Sequence, residues 1–235
     1  MIGILAAWLM VATRILQPES AILAPLSGEG NDSVALSRQF DSLFSRYRGR
    51  LPVNYLRALS YSESRMNPSD TGGSYWGLMQ VGYKSVLPSY NRRRGTSYSP
   101  RDLLNADVNV KIGTDLLNRI IVAYGKHPSP NMRPSGGREF WKLLTAGWNS
   151  GYSESGGVGK VAAYLEQRGI PVTHDNVFRY AAAAGATVHL QNDAKRAWQA
   201  AVVDRFYDEG GPGPGWMTFI LVAGVGYAFY KTLTR

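Results

Sequence analysis

Residues 56–80 read LRALSYSESRMNPSDTGGSYWGLMQ, and three kinds of structure follow one another inside them. An apolar helix runs toward Asn67-Pro68, where the proline disfavours further helix. A Ser/Asp/Gly loop comes next, and Gly77-Leu78-Met79-Gln80 closes the stretch. On a 3.6-residue period, Leu56, Leu59, Ser60 and Glu63 fall at i, i+3, i+4 and i+7. Glu63 therefore shares the inward face of the helix with two leucines. Burial penalises an ionised carboxylate and raises its pKa. A general acid working near neutral pH needs that property.

Downstream, Ser69 to Trp76 reads as a cleft wall or, more plainly, as a loop or small hairpin. Its glycines allow close backbone approach. Tyr75 and Trp76 offer flat faces for stacking on sugars, although Trp76 would serve equally in a core. Asp70 reads as a turn residue. Arg92-Arg93-Arg94 reads as a solvated basic triplet, with an anionic polymer as the sharper alternative. Ser99-Pro100-Arg101-Asp102 is a helix start, with Ser at the cap and Pro at the first position. Val108, Ile112, Leu116 and Ile120 then recur every four residues as a buried stripe, and Gly113 permits close contact. A further helix from Arg138 carries Phe140, Trp141, Leu144 and Trp148. It ends at Gly147-Trp148-Asn149-Ser150-Gly151, where Asn149 reads as a substrate ligand or as a helix C-cap. Another short helix follows at 158–170, and Ala181–Ala184 with Ala194–Phe206 suggest a final one.

Upstream, Pro52 starts the Glu63 helix. Before it, Asp32 or Ser33 caps a helix running to Tyr47, with Val34, Leu36, Phe40, Leu43 and Phe44 as its apolar positions. Residues 17–36 are rich in Pro, Ser and Gly and read as a linker. Residues 1–13 carry no charge. They are too short for a span, which needs about 20 apolar residues, and read as an anchor, a partner contact or a core helix ahead of a cleaved signal. At the other end, the Gly/Pro run 210–215 reads as a hinge. Trp216–Tyr230 has no charged residue and reads as a membrane span or anchor, or as a segment buried in a partner protein. Its helical length of ~22 Å falls short of a ~30 Å hydrocarbon core.

The chain has 235 residues and no cysteine, so disulfides and thiolate metal sites are excluded. His127, His174 and His189 are widely spaced and form no metal-ligand pattern. The net charge of +9 favours anionic partners: acidic wall polymers, lipid headgroups or nucleic acid. No interleaved basic and aromatic motif of a nucleic-acid module is present, and sequence-specific nucleic-acid binding is not expected.

Taken in order, Glu63-Ser64, Asn67-Pro68, Gly77-Leu78-Met79-Gln80, the helix Asp102–Gly113 and Asn149-x-Gly151 resemble the lysozyme-like lytic transglycosylases, which cut bacterial peptidoglycan. The resemblance covers about residues 45–185. It implies a mainly α, lysozyme-like α+β domain over 37–209. The chain then divides into an apolar segment 1–16, a linker 17–36, that domain, a hinge 210–215 and a membrane-anchor candidate 216–235. Glu63 is implied as the sole catalytic carboxylate. Ser64, Tyr75, Gly77, Met79, Gln80, Trp148, Asn149 and Tyr180 are the expected substrate-binding residues. Trp148 stands where the family has a tyrosine, and Ser150 where it has alanine. Tyr180 matches the family's late tyrosine near the acid, with Val177-Phe178 as the other alignment. The implied chemistry consumes neither water nor metal and calls for no cofactor: Glu63 protonates the glycosidic oxygen, and the sugar's own C6 hydroxyl closes a 1,6-anhydro ring. A hydrolytic lysozyme, or a non-catalytic envelope-penetrating protein, are the competing expectations. Apolar ends around such a domain suit a virion component acting in the host periplasm in contact with membrane and other virion proteins, or a part of a secretion machine.

Overall fold

The computed structural model describes residues 36–212. The segment 1–16, the linker up to residue 35 and the anchor candidate 216–230 lie outside the described residues. No helix among the described residues is long and apolar enough to cross a membrane.

The described chain is mainly helical. The first helices are α1 (Asp41–Tyr47) and α2 (Val53–Ser64). A three-stranded antiparallel sheet follows, β1 (Thr71–Gly72), β2 (Tyr75–Trp76) and β3 (Val81–Gly82), with Gly72 opposite Tyr75 and Tyr75 opposite Gly82. Then come α3 (Val86–Arg94), α4 (Ala106–Tyr124), α5 (Arg138–Ser150), α6 (Val158–Glu166), α7 (His174–Tyr180) and α8 (Asp193–Asp208).

Helix α8 packs along both α2 and α5. Each contributes an aromatic ring to one buried cluster. Tyr55 lies 4.8 Å from Trp141 and 5.5 Å from Phe206, and Trp141 lies 5.1 Å from Phe206. Tilted and edge-on contacts of this kind add to the area the rings bury. They lock together the three helices that carry the acid and its neighbours. Arg57 of α2 is also buried, and binds Asp41 through two hydrogen bonds and Glu209 through another. A buried guanidinium is stable only when paired in this way.

Several expectations are corrected. The helix expected from Asp32 or Ser33 begins at Asp41. Leu36 instead gives its N–H to Glu209 Oε1 at 3.0 Å, so this last linker residue is tied to the end of α8. The Glu63 helix stops at Ser64, short of Asn67-Pro68, because Arg65 and Met66 turn to positive φ. The helix start at Ser99 is real, with both halves of its capping box formed, but it opens only a 3-10 turn (Pro100–Leu104). Asn105 then caps α4 separately, accepting from the N–H groups of Asp107 and Val108. Val108 and Leu116 of the expected stripe are only partly buried; the fully buried face runs through Val110, Ile112, Leu117, Ile120 and Tyr124. Arg93 and Arg94 are ion-paired with Asp115 rather than simply solvated. The Gly/Pro hinge begins as a helix stop: Gly210 and Gly211 donate to the carbonyls of Tyr207 and Phe206, and the Gly211 carbonyl accepts from Asn54 at 2.6 Å. Gly210 has φ of +98°, the left-handed turn that favours glycine in this position.

Candidate active site

Helix α2 presents Leu56 and Leu59 to the core, fully buried, and Glu63 one turn further on at its edge. The carboxyl of Glu63 is partly exposed, yet its surroundings are apolar enough to push its pKa up to about 7 from 4.5. Desolvation is the largest cause. Two groups oppose it: a hydrogen bond from Trp148, and the positive charge of Lys195. The Trp148 indole Nε1 donates to Glu63 Oε1 at 2.7 Å. An indole N–H can only donate, so the direction of this bond is certain. No other carboxylate acts on Glu63 among the described residues.

Trp148 stands in the last turn of α5, which ends at Gly151 with φ of +90°. Asn149 is thus inside the helix and is not its C-cap. Its Oδ1 accepts from Gln199 Nε2 at 3.3 Å and from Lys195 Nζ at 3.5 Å. Gln199 is fully buried and uses its Oε1 on His174 Nε2 at 2.9 Å. Because the Gln199 amide nitrogen faces Asn149, its oxygen must accept from histidine, and His174 carries its proton on Nε2. Burial holds the His174 pKa below the ordinary histidine value, which keeps the ring neutral. The His174–Gln199–Asn149 chain therefore fixes the segment that holds Trp148 against Glu63.

The other expected site residues divide. Tyr75 is 53% exposed on β2, with its ring free to meet a ligand. Trp76 is partly buried and packs on Tyr83 in a tilted contact, with ring centroids 5.1 Å apart. Ser64, Gly77 and Met79 are packed into the scaffold. Ser64 is buried, and its Oγ reaches the Leu78 carbonyl at 2.7 Å. Gly77, with φ of +81°, lies so close to Leu103 and Asn109 that an added Cβ would meet the Leu103 oxygen at 2.0 Å. Met79 is fully buried with its sulfur packed on Gly113, so Gly113 makes room for a side chain rather than for another helix. Gln80 has φ of +48°, and its Nε2 donates to the carbonyls of Asp70 and Gly77, which pins the turn. Tyr180 packs near Tyr164, with ring centroids 6.4 Å apart, and makes no bond to Glu63.

Asn109 was missed. It is fully buried, accepts from the Met79 N–H at 2.8 Å, and donates to the carbonyls of Trp76 and Leu103. One side chain thus ties the Gly-Leu-Met-Gln segment to α4. Lys195 and Gln199 were also missed. Their i, i+4 spacing on the last helix was the available signal, but nothing in it points to Glu63.

Two cavities, of about 510 and 330 Å³, lie elsewhere on the molecule, and Glu63 lines neither. Among the described residues no group of three or more His, Cys, Asp or Glu could hold a metal ion.

Replacing Ser64 tests its scaffold role. Ser64→Ala leaves the buried Leu78 carbonyl without its partner and should cost about 1–3 kcal/mol, read as a lower midpoint in chemical denaturation.

A helical domain with a small antiparallel sheet, holding one desolvated carboxyl at a helix end, defines the fold class: a lysozyme-like α+β domain. Residues 44–164, just over half of the chain, match the Transglycosylase SLT domain, and the chain belongs to that family. Among solved structures it is similar to the 70-kDa soluble lytic transglycosylase of Escherichia coli, at 20% identity and a TM-score of 0.52. It is similar also to that enzyme's complex with bulgecin A, at 22% identity and a TM-score of 0.50. The first likeness covers 75% of this chain but only 25% of the larger protein, and the second 74% and 25%. The mainly α, lysozyme-like α+β expectation is met. No curated protein sequence matches the chain.

Proposed function

We propose that the chain is a peptidoglycan lytic transglycosylase, cleaving the β-1,4 bond between N-acetylmuramic acid and N-acetylglucosamine with a 1,6-anhydro product. The observation that carries this reading is the single desolvated carboxyl of Glu63, half protonated near neutral pH and held by the Trp148 N–H. With one carboxyl group the sugar can supply its own nucleophile, and substrate-assisted routes of this kind are established exceptions to the two-carboxylate scheme. Glu63 gives its proton to the glycosidic oxygen as the bond breaks. Positive charge at the anomeric carbon is met by the acetamido group. The carboxylate, now stabilised by the indole N–H and by Lys195, takes the proton of the C6 hydroxyl as that oxygen bonds to the anomeric carbon. The proton lost in the first step is regained in the second, and Glu63 ends as it began.

Tyr75, Trp148 and Asn149 are the residues this reading assigns to the glycan. Purified sacculi incubated with the full chain test it directly: the expected result is clearing and release of soluble muropeptides, and intact sacculi would refute it.

The setting proposed is a virion component that opens the wall locally, with membrane contact through Trp216–Tyr230. The uncharged stretches 1–13 and 216–230 and the net charge of +9 support it. Fractionation tests it: the protein is expected in purified particles, and recovery only as a free periplasmic protein would refute it.

A further inference from the structure

Lys195 lies in the first turn of α8, one turn before Gln199. Its backbone N–H is taken by the capping Asn192 side chain at 3.1 Å. Its ammonium makes a single contact, 3.5 Å to Asn149 Oδ1, at the outer limit of a hydrogen bond. An ammonium has three N–H donors and is strongly hydrated, so this side chain is under-used by the protein. The other charges nearby pair among themselves, with Arg196 4.0 Å from Asp193 and 3.9 Å from Asp175. Among the described residues no carboxylate lies within 4.0 Å of Lys195. Its field reaches Glu63, which places it on the acid's side of the molecule. In the first chemical step Glu63 is protonated, and Lys195 then has no negative partner there.

A partly buried cation with no carboxylate within 4.0 Å, on the acid's side of the molecule, is matched to an anion on the substrate. The muramoyl sugar is where peptidoglycan carries carboxyl chemistry, on its lactyl side. We propose that Lys195, oriented by Asn149, binds a carboxylate carried on the lactyl side of the muramoyl residue next to the scissile bond, and so selects among peptidoglycan strands. The proposal rests on the transglycosylase reading. The carboxylate has two sources: the lactyl group itself in strands without stem peptides, or a carboxylate of the stem peptide. In the first case the reaction that supplies the substrate is hydrolysis of the lactyl–peptide amide, in which water adds across that bond and frees the peptide amine.

The test uses the full chain and two pairs of soluble glycan strands, peptide-free and peptide-bearing. Each pair is compared as such and after its carboxylates have been converted to neutral methylamides. The wild type is expected to show kcat/KM about tenfold higher for the charged member of one pair, equivalent to about 1.4 kcal/mol. Discrimination in the peptide-free pair identifies the lactyl carboxylate, and discrimination confined to the peptide-bearing pair identifies the stem. Lys195→Met should bring the ratio close to one, and Lys195→Arg should keep most of it. The ratio is taken within each variant, so a loss of folded enzyme cancels. Equal cleavage of both members of both pairs, or a ratio that survives in Lys195→Met, would overturn the proposal and leave the transglycosylase reading standing. Cleavage of none of the four would overturn both.

Discussion

Glu63→Gln should lower turnover on purified peptidoglycan by about a thousandfold or more. The amide keeps an oxygen for the Trp148 N–H but has no proton to give the glycosidic oxygen. General acid catalysis is worth roughly 100- to 10,000-fold, and here one group serves as acid and then as base, so both steps lose their catalyst. The fold should survive, and above neutral pH it should improve. Glu63 binds its proton more tightly folded, near 7, than unfolded, near 4.5. Stability from this group is therefore complete below 4.5 and is lost as pH rises through 7. The neutral glutamine escapes that loss. With a discount for the partial exposure of the carboxyl, the gain is about 1–2 kcal/mol at pH above 7, and it should close as pH falls toward 4.5. Thermal melts of both proteins across that range check it. An inactive variant that melts lower at every pH would mean a damaged fold rather than a missing acid.

Trp148→Phe is expected to cost about 10- to 100-fold in kcat. The indole N–H favours the ionised form of Glu63, and that form must build up as the first bond breaks. A hydrogen bond to a charged group contributes about 1.5–3 kcal/mol, which sets the size of the loss. The direction of the accompanying pH effect is fixed. The wild-type acid must be protonated, so kcat/KM should fall as pH rises through about 7. Without the N–H the Glu63 pKa rises, and this alkaline limb should move to higher pH while the rate on the plateau drops. A profile whose alkaline limb stays in place, or moves down, would show that Trp148 does not act on the acid.

The two variants probe what was and was not legible in the chain. Leu56, Leu59 and Glu63 share a helix face by simple periodicity, and desolvation of the acid followed from that alone. The bond from Trp148 did not follow. It joins residues 85 apart, and nothing in a tryptophan at the place of a tyrosine says that its indole N–H meets the acid. For Ser64, Gly77 and Met79 a motif does not say which of its residues face outward and which face the core. Burial separates them: the same short segment carries the exposed ring of Tyr75 on one side and the Met79 sulfur packed on Gly113 on the other. Lys195 and Gln199 were hidden for a different reason. Their part in the site depends on how α8 crosses α2 and α5, set by the Tyr55, Trp141 and Phe206 cluster, and no local pattern encodes that crossing.

That one proton-holding carboxyl breaks the glycan without help from water is tested most directly by digesting purified peptidoglycan with the wild-type chain in heavy-oxygen water and weighing the products by mass spectrometry. Anhydro-muramoyl ends, lighter than hydrolysis products by one water and free of solvent oxygen, are expected. Reducing ends carrying the heavy isotope would contradict it, because solvent would then have supplied the nucleophile.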